Sequence, residues 1–370
     1  MTISAIPTRI PATVITGFLG SGKTTLIRNI ITQANGKRLA LIVNEFGDVG
    51  MDGAMLAECG ADSCSVDDII ELANGCICCT VADDFLPSIQ SLLAQNPPPD
   101  HIIIETSGLA LPQPLVQAFG WPDIRAQVML DGVVTLVDGP ALAGGSVAHD
   151  LEALERQRAA DEELDHDSPI DELFKDQISA ANLIILSKAD MLDDVGMERA
   201  RAAVEAHLHD NTPIITVAGG KAPLSAVLGL DMEDEAHHRA KHHHHHHDDE
   251  DHEHEHEHGH DEFASHIIAL GKVEDAGAFQ AQIRTLANSH GILRAKGRVP
   301  VEGKALPFVV QAVGQRVDGY FAPQPAPVGN DSNAGRLVVI GLAGLDAAAI
   351  ASQLGGSVIM DSGSDASPQN

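Results

Sequence analysis

The chain has 370 residues, 44% of them hydrophobic, and its 53 Asp and Glu against 23 Lys and Arg give a formal net charge of -30. That length and apolar content suffice to bury the cores of two domains. So acidic a surface repels phosphate backbones and anionic lipid heads and attracts cations, which argues against nucleic-acid and membrane partners. A single Trp and a single Tyr leave no base-stacking platform. No signal-peptide pattern opens the chain, and no run approaches the roughly 18 apolar residues of a spanning helix, so the cytoplasm is the expected location.

In chain order, ATVIT at 12–16 is a short apolar run that ends in a glycine-rich turn, and helical spacing of Leu26, Ile27, Ile30 and Ile31 follows over Lys23 to Ala34. LALIVN at 39–44, HIIIET at 101–106, GVVTLVD at 132–138, NLIILS at 182–187 and PIITVAG at 213–219 have the character of buried strands. Segments 80–94 and 171–181 lie between them and read as helices. Strands alternating with helices predict a mostly parallel α/β sheet covered on both faces. From Met232 to Glu262 the chain is almost wholly His, Asp and Glu, and 13 of its 20 histidines fall there. Such a stretch has no apolar core to build, so it reads as a disordered linker. Beyond it, strand patterns at 265–270, 292–297, 306–314 and 335–344, with helices at 276–288 and 347–354, predict a small α+β domain and then a polar tail. The expected organisation is 1–230, linker 231–262, second domain 263–359 and tail 360–370.

Gly17-Phe18-Leu19-Gly20-Ser21-Gly22-Lys23-Thr24 has the phosphate-loop spacing, and it stands after a strand and at the start of a helix, as that motif requires. Glycines let successive N–H groups curl around phosphate oxygens, and the helix N-terminus adds positive potential. Lys23 supplies a charge between the terminal phosphates, and the Thr24 hydroxyl suits Mg²⁺. Glu105, ending HIIIE, and Glu45, after LALIVN, are both candidate carboxylates for the magnesium water shell, and Glu45 reads equally well as a surface cap. Gly108 lets a backbone N–H approach the terminal phosphate; a helix start at Thr106 and Ser107 is the competing reading. In Ser187-Lys188-Ala189-Asp190, the Asp190 carboxylate can accept the two guanine hydrogens that adenine lacks, with the Lys188 stem across the base.

Of five cysteines, Cys76, Cys78 and Cys79 occupy four positions, too close for a disulfide framework and well suited to metal thiolates. Soft sulfur favours Zn²⁺, Cu⁺ or Co²⁺, and three ligands leave a fourth position open for transfer. Buried apolar thiols, a fixed structural zinc and redox chemistry compete with this reading. Cys59 and Cys64 read as ordinary small residues. His242, His243, His244, His245, His246, His247, His252, His254, His256, His258 and His260 form an auxiliary metal-buffering tract, with a solvated spacer as the alternative.

GFLGSGKTT, NEFG, GCICC, ETSG and SKAD together resemble the CobW-type metallochaperone GTPases, with the cobalamin-biosynthesis branch nearest. LRAKG (293–297), VEGK (301–304) and LPFVVQAVGQRVDGYF (306–321) extend the resemblance, which covers roughly residues 10–322. It implies a P-loop NTPase of SIMIBI-like G-domain type, slow metal-stimulated GTP hydrolysis with Mg²⁺, and delivery of Co²⁺ or Zn²⁺. The implied recipient is a client metalloenzyme or cobalt-insertion machinery, and a homodimer is compatible with the pattern. The resemblance adds Thr25 to the phosphate residues, makes Lys23, Glu45 and Glu105 the catalytic set, and puts the chaperone metal on Cys76, Cys78 and Cys79. Ser187 departs from the asparagine of many relatives and lacks its amide. A non-catalytic metal store or sensor and an ATP-using maturation factor are the alternative functions.

Overall fold

The computed structural model describes residues 9–34, 36–44, 69–72, 85–160, 169–208, 211–230, 232, 262–322 and 335–359. The expectations placed on Glu45, on all five cysteines and on the histidine tract lie outside the described residues. The chain divides into two compact units, one built on a parallel sheet and the other on a largely antiparallel one.

In the first unit the strands are β1 (Ile10–Thr16), β2 (Leu39–Asn44), β3 (Ile69–Leu72), β4 (His101–Glu105), β5 (Val128–Asp138), β6 (Leu183–Ser187) and β7 (Ile214–Val217). Among the described residues these seven form one sheet in the order β3-β2-β4-β1-β5-β6-β7, and the pairings are parallel. A strand covered on both faces has no polar side, which is why Ile102, Ile103 and Ile104 follow one another and are all fully buried. Each contributes about 1.5–3 kcal/mol of apolar burial.

Helices α1 (Lys23–Gln33), α2 (Leu86–Leu93), α3 (Gln113–Ala118), α4 (Pro122–Arg125), α5 (Gly139–Ala143), α6 (Leu151–Ala160), α7 (Ile170–Ala180), α8 (Asp194–Glu205) and α9 (Leu224–Leu228) complete the unit. α1 turns Leu26, Ile27, Ile30 and Ile31 inward, as their spacing predicts. One core joins Ile89 and Leu92 of α2 and Leu115 of α3 to Val14, Ile42 and Ile104. Another joins Phe174 and Ile178 of α7 and Ala200 and Val204 of α8 to Val137, Ile184 and Leu186. The chain steps from β1 outward to β2 and returns through β4, while β5 lies on the other side of β1. Loops therefore diverge at the carboxyl ends of β1, β4 and β5, the usual place for a ligand crevice in such sheets.

β5 starts at Val128, four residues before the apolar run GVVTLVD. The polar Asp131 is carried inside the strand because the register with β1 slips between Ala12 and Thr13. The Asp131 carboxylate accepts a hydrogen bond from Thr13 Oγ1 at 3.2 Å, and the same hydroxyl lies 2.8 Å from His101 Nε2. All three side chains are buried.

The helix expected over 80–94 is seen as α2, Leu86–Leu93, and residues 80–84 lie outside the described residues. β7 stops at Val217, ahead of Gly219 and Gly220, whose positive φ of 56° and 72° leaves the extended region. No helix starts at Thr106 and Ser107. A turn over 107–110 stands there, closed by Ala110 N donating to Ser107 O at 3.1 Å, and α3 begins only at Gln113.

The second unit contains β8 (Phe263–Leu270), α10 (Ala276–His290), β9 (Ile292–Val299), β10 (Phe308–Val313), β11 (Arg316–Phe321), β12 (Gly335–Leu342), α11 (Ala347–Gln353) and β13 (Ser357–Val358). Its six described strands run in the order β11-β10-β9-β12-β8-β13. α10 is capped by the Asp275 side chain, which accepts from Ala278 N at 2.8 Å, and stops at left-handed Gly291. Phe279, Ile283, Leu286 and Ala287 of α10 pack with Ile268, Ala295, Val310 and Val339. The helix and strand pattern of the sequence thus gives the small α+β body that it predicts.

Thr13→Val keeps the shape of its side chain but withdraws one partner from each of His101 and Asp131. It is expected to cost about 1–3 kcal/mol of stability. A shift of the urea midpoint without a change in slope would measure that loss.

Candidate functional site

The turn after β1 is shaped by what surrounds it. Gly17 has φ 139°, and a Cβ there would overlap the Leu136 carbonyl oxygen of β5, so only glycine fits. Gly22, at φ 97°, stands at the cap position of α1, and no side chain caps that helix or puts an acid in its first turn. The first N–H groups of α1 therefore keep their capacity for an anion. Lys23 Nζ donates to Gly17 O at 2.7 Å and lies 3.4 Å from Phe18 O, folded over the mouth of the loop. Ser21 is 1% exposed, and its Oγ has no hydrogen-bond partner among the described residues. Uncapped amides, an adjacent ammonium and a buried hydroxyl suit a phosphate group.

β4 delivers the second wall. Its register with β1 pairs Glu105 with Ile15, so the 6% exposed carboxylate residue sits two positions short of the start of the phosphate loop. The turn that follows crosses the loop closely: a Cβ on Gly108 would come within 2.8 Å of Leu19 N. Thr24 is half-buried in the first turn of α1 and Thr25 is exposed. Thr24 and Glu105 carry hard oxygen atoms of the kind that could hold Mg²⁺.

β6 delivers the third wall. A side chain on Gly22 would touch Ser187 Cβ at 3.9 Å, so the phosphate loop and the Ser187–Asp190 segment are immediate neighbours. Ser187 Oγ donates to Val137 O at 2.9 Å, tying the end of β6 to β5. The Ser187 hydroxyl is therefore a strand anchor. Lys188 adopts φ 56° and ψ 36°, a left-handed conformation uncommon outside glycine and asparagine. An ion pair of 2.6 Å to Asp138 Oδ2 accompanies that conformation. Asp138 is 2% exposed, and its other oxygen accepts from Ala141 N at 3.1 Å, capping α5. Asp190 is exposed, and its Oδ1 accepts from Gly219 N at 3.3 Å.

Three residues outside the sequence reading thus shape the site. Asp138 holds Lys188, Gly219 orients Asp190, and Asn29 links Thr25 O (3.0 Å) to Gly219 O (3.1 Å). A buried strand ending in Asp-Gly-Pro was the available signal for Asp138; the other two contacts are long-range and have no local signature. Gly17, Gly20, Ser21, Gly22, Lys23, Thr24, Glu105, Gly108, Ser187, Lys188 and Asp190 all lie at one end of the sheet, on the connections that leave β1, β4 and β6. Glu45, Cys76, Cys78 and Cys79 are outside the described residues, and no group of three His, Cys, Asp or Glu side chains able to hold a metal occurs among the described ones. No helix among them is long and apolar enough to cross a membrane.

Residues 11–216 match the family model described as CobW/HypB/UreG, nucleotide-binding domain. Residues 263–358 match the Cobalamin synthesis protein cobW C-terminal domain. The chain belongs to the CobW family. It is 48% identical over 344 residues to a protein of Sinorhizobium sp named Zinc chaperone CobW, covering 92% of this chain and 95% of that one. A Zinc chaperone CobW of Pseudomonas aeruginosa is 46% identical over 352 residues, covering 94% and 91%. The Zinc chaperone YjiA of Escherichia coli is 28% identical over 344 residues, covering 90% and 94%. As a CobW-family member, this chain is a nucleotide-binding, metal-handling protein with a P-loop sheet domain followed by the smaller family domain.

Gly108→Ala would force the 107–110 turn off the phosphate loop. Overpacking of about 1–3 kcal/mol, if felt in full by the bound nucleotide, corresponds to a rise of about 5–150-fold in its Kd. Titration with a fluorescent GTP analogue reads it, and an unchanged Kd would contradict the close approach.

Proposed function

We propose that this CobW-family chain is a GTP-hydrolysing metal chaperone whose cargo is Zn²⁺, with Co²⁺ as the second candidate. The observation that supports the reading is the adjacency of the phosphate loop to the Ser187–Asp190 segment, which sets a turn suited to phosphate beside a segment whose Asp190 carboxylate is suited to guanine. The zinc-chaperone names of its 48% and 46% identical relatives favour Zn²⁺ over the cobalt that the family's cobalamin link suggests.

In this reading Lys23 leaves the Gly17 carbonyl for the bridging and terminal phosphate oxygens, while the N–H groups of α1 and the loop hold the remaining charge. Thr24 and Glu105 would hold Mg²⁺, which would supply positive charge against the phosphates, and Glu45 is assigned to the switch carboxylate. Water adds to the terminal phosphorus and the bond to the bridging oxygen breaks. Asp190, oriented by Gly219, selects guanine, and Lys188, held by Asp138, lines the base. The cargo ion is assigned to Cys76, Cys78 and Cys79. β3 is parallel to β2 and ends at Leu72, four residues before Cys76, so the chain sets out toward the cysteines from the sheet end that carries the phosphate loop. The histidine tract would buffer the same ions, and the cytoplasm would keep the thiols reduced. A client metalloenzyme is the proposed recipient.

Lys23→Ala is expected to lower phosphate release by about 10²-fold or more. Asp190→Asn should forfeit most of the preference for GTP over ATP, since the paired hydrogen bonds that distinguish the bases are worth tenfold or more, roughly. Retention of that preference in competitive titration would count against the guanine assignment.

Zn²⁺ titrated into the GTP-analogue and GDP forms should give affinities about 5–150-fold apart, a coupling of about 1–3 kcal/mol. Equal affinities would sink the gated-chaperone reading, and tight metal binding without any turnover would mark a store.

A further inference from the structure

Gln177 lies in α7 and is 1% exposed. Its Nε2 donates to two carbonyls of the turn after β4, Gly108 O at 2.9 Å and Ala110 O at 3.1 Å. Both amide hydrogens are thus used on one loop. The opposite placement of amide nitrogen and oxygen would set an oxygen against two carbonyls, so the chemistry fixes the assignment. The backbone carbonyl of Gln177 falls in the last turn of α7, where no amide one turn further on is in helical position to reach it. Thr135 Oγ1 of β5 donates to it at 3.2 Å. One turn earlier on the same helix face, Phe174 packs on Phe18 of the phosphate loop, with ring centroids 6.0 Å apart, in the core cluster that also holds Leu109. A single helix face therefore grips both the phosphate loop and the turn that crosses it.

Two contacts within the turn itself are seen among the described residues. Ala110 N donates to Ser107 O, and Leu109 N lies 3.4 Å from Ser107 Oγ. Gly108 N has no acceptor among the described residues. We propose that Gln177 is a positioning residue that fixes the 107–110 turn so that the Gly108 N–H is held ready for the terminal phosphate, giving the pocket its preference for triphosphate over diphosphate. This inference rests on the nucleotide reading above. A diphosphate does not extend to that N–H, so loosening the turn weakens triphosphate binding and hydrolysis and leaves diphosphate binding alone. A buried glutamine with a merely structural role would weaken both together.

The test uses the full chain carrying Gln177→Met, which keeps length and volume and removes both donors, and in parallel Thr135→Val, which releases the far end of the clamp. Isothermal titration with GDP and with the β,γ-imido analogue of GTP gives the two affinities, and thermal melting checks folding. With both hydrogen bonds lost, the Met variant should bind the triphosphate analogue roughly tenfold more weakly while its GDP affinity stays within about twofold. Thr135→Val should move the same ratio in the same direction by a smaller factor, and it carries the test if the Met variant does not fold. Equal weakening of both nucleotides, or no change in their ratio, overturns the clamp. If the unmodified chain binds neither nucleotide, the nucleotide reading falls and the clamp with it. If the unmodified chain prefers triphosphate and the variants keep that preference, only the clamp falls.

Discussion

Backbone pressed against backbone is the constraint from which the rest of the site follows. At Gly17 the phosphate loop leaves no room for a methyl group beside the Leu136 carbonyl, and at Gly108 the turn after β4 leaves none beside Leu19 N. Two connections, those after β1 and β4, and the backbone of β5 are stacked without side chains between them. Peptide groups packed so closely cannot shift singly, so a displacement of any one loop is felt by the others. The parallel sheet makes this possible by releasing β1, β4, β5 and β6 at the same end.

The polar contacts around that stack mostly join side chain to backbone. Ser187 reaches Val137 O, Asn29 bridges Thr25 O and Gly219 O, and Asp190 receives Gly219 N. Such contacts locate a loop to within a few tenths of an ångström while leaving its outward groups for a ligand. The pair of Lys188 and Asp138 differs, because it neutralises a buried carboxylate as well as orienting a side chain. A partly exposed pair of this kind adds more to geometry than to stability. Together these contacts keep the left-handed Lys188 in a conformation that would otherwise cost of order 1–3 kcal/mol.

The buried strands and the phosphate loop were legible because their signals are local. HIIIE has no polar face and so reads as a strand covered on both sides, and the glycines at 17, 20 and 22 precede Lys23 at the required intervals. What escaped reading depends on distant partners. The four residues of β3 are too few for a periodicity, and their strand character comes from pairing with β2. Asp131-Gly132 reads as a break in an apolar run, because nothing in the local sequence announces that Thr13 will accommodate the carboxylate. β11, RVDGYF, is diluted by Asp318 and Gly319 and takes its place from its neighbour β10. Gln177 is one glutamine in an amphipathic helix, and only the fold brings Gly108 and Ala110 to it.

The slip in register at Asp131 also governs which way β5 faces. Ahead of it Val128 and Leu130 point into the core shared with Ile10 and Ala12, and beyond it Val133 points there beside Val14. The inserted residue has moved the inward positions from even numbers to odd. Paired without that slip, the same residues would turn Val134, Leu136 and Asp138 to that side, and Thr135 would face away from α7. Excising Asp131 would thus restore a regular strand with Val133 and Thr135 facing as before, whereas forcing every residue of β5 into strict alternation would set the Asp138 carboxylate where an aliphatic chain belongs.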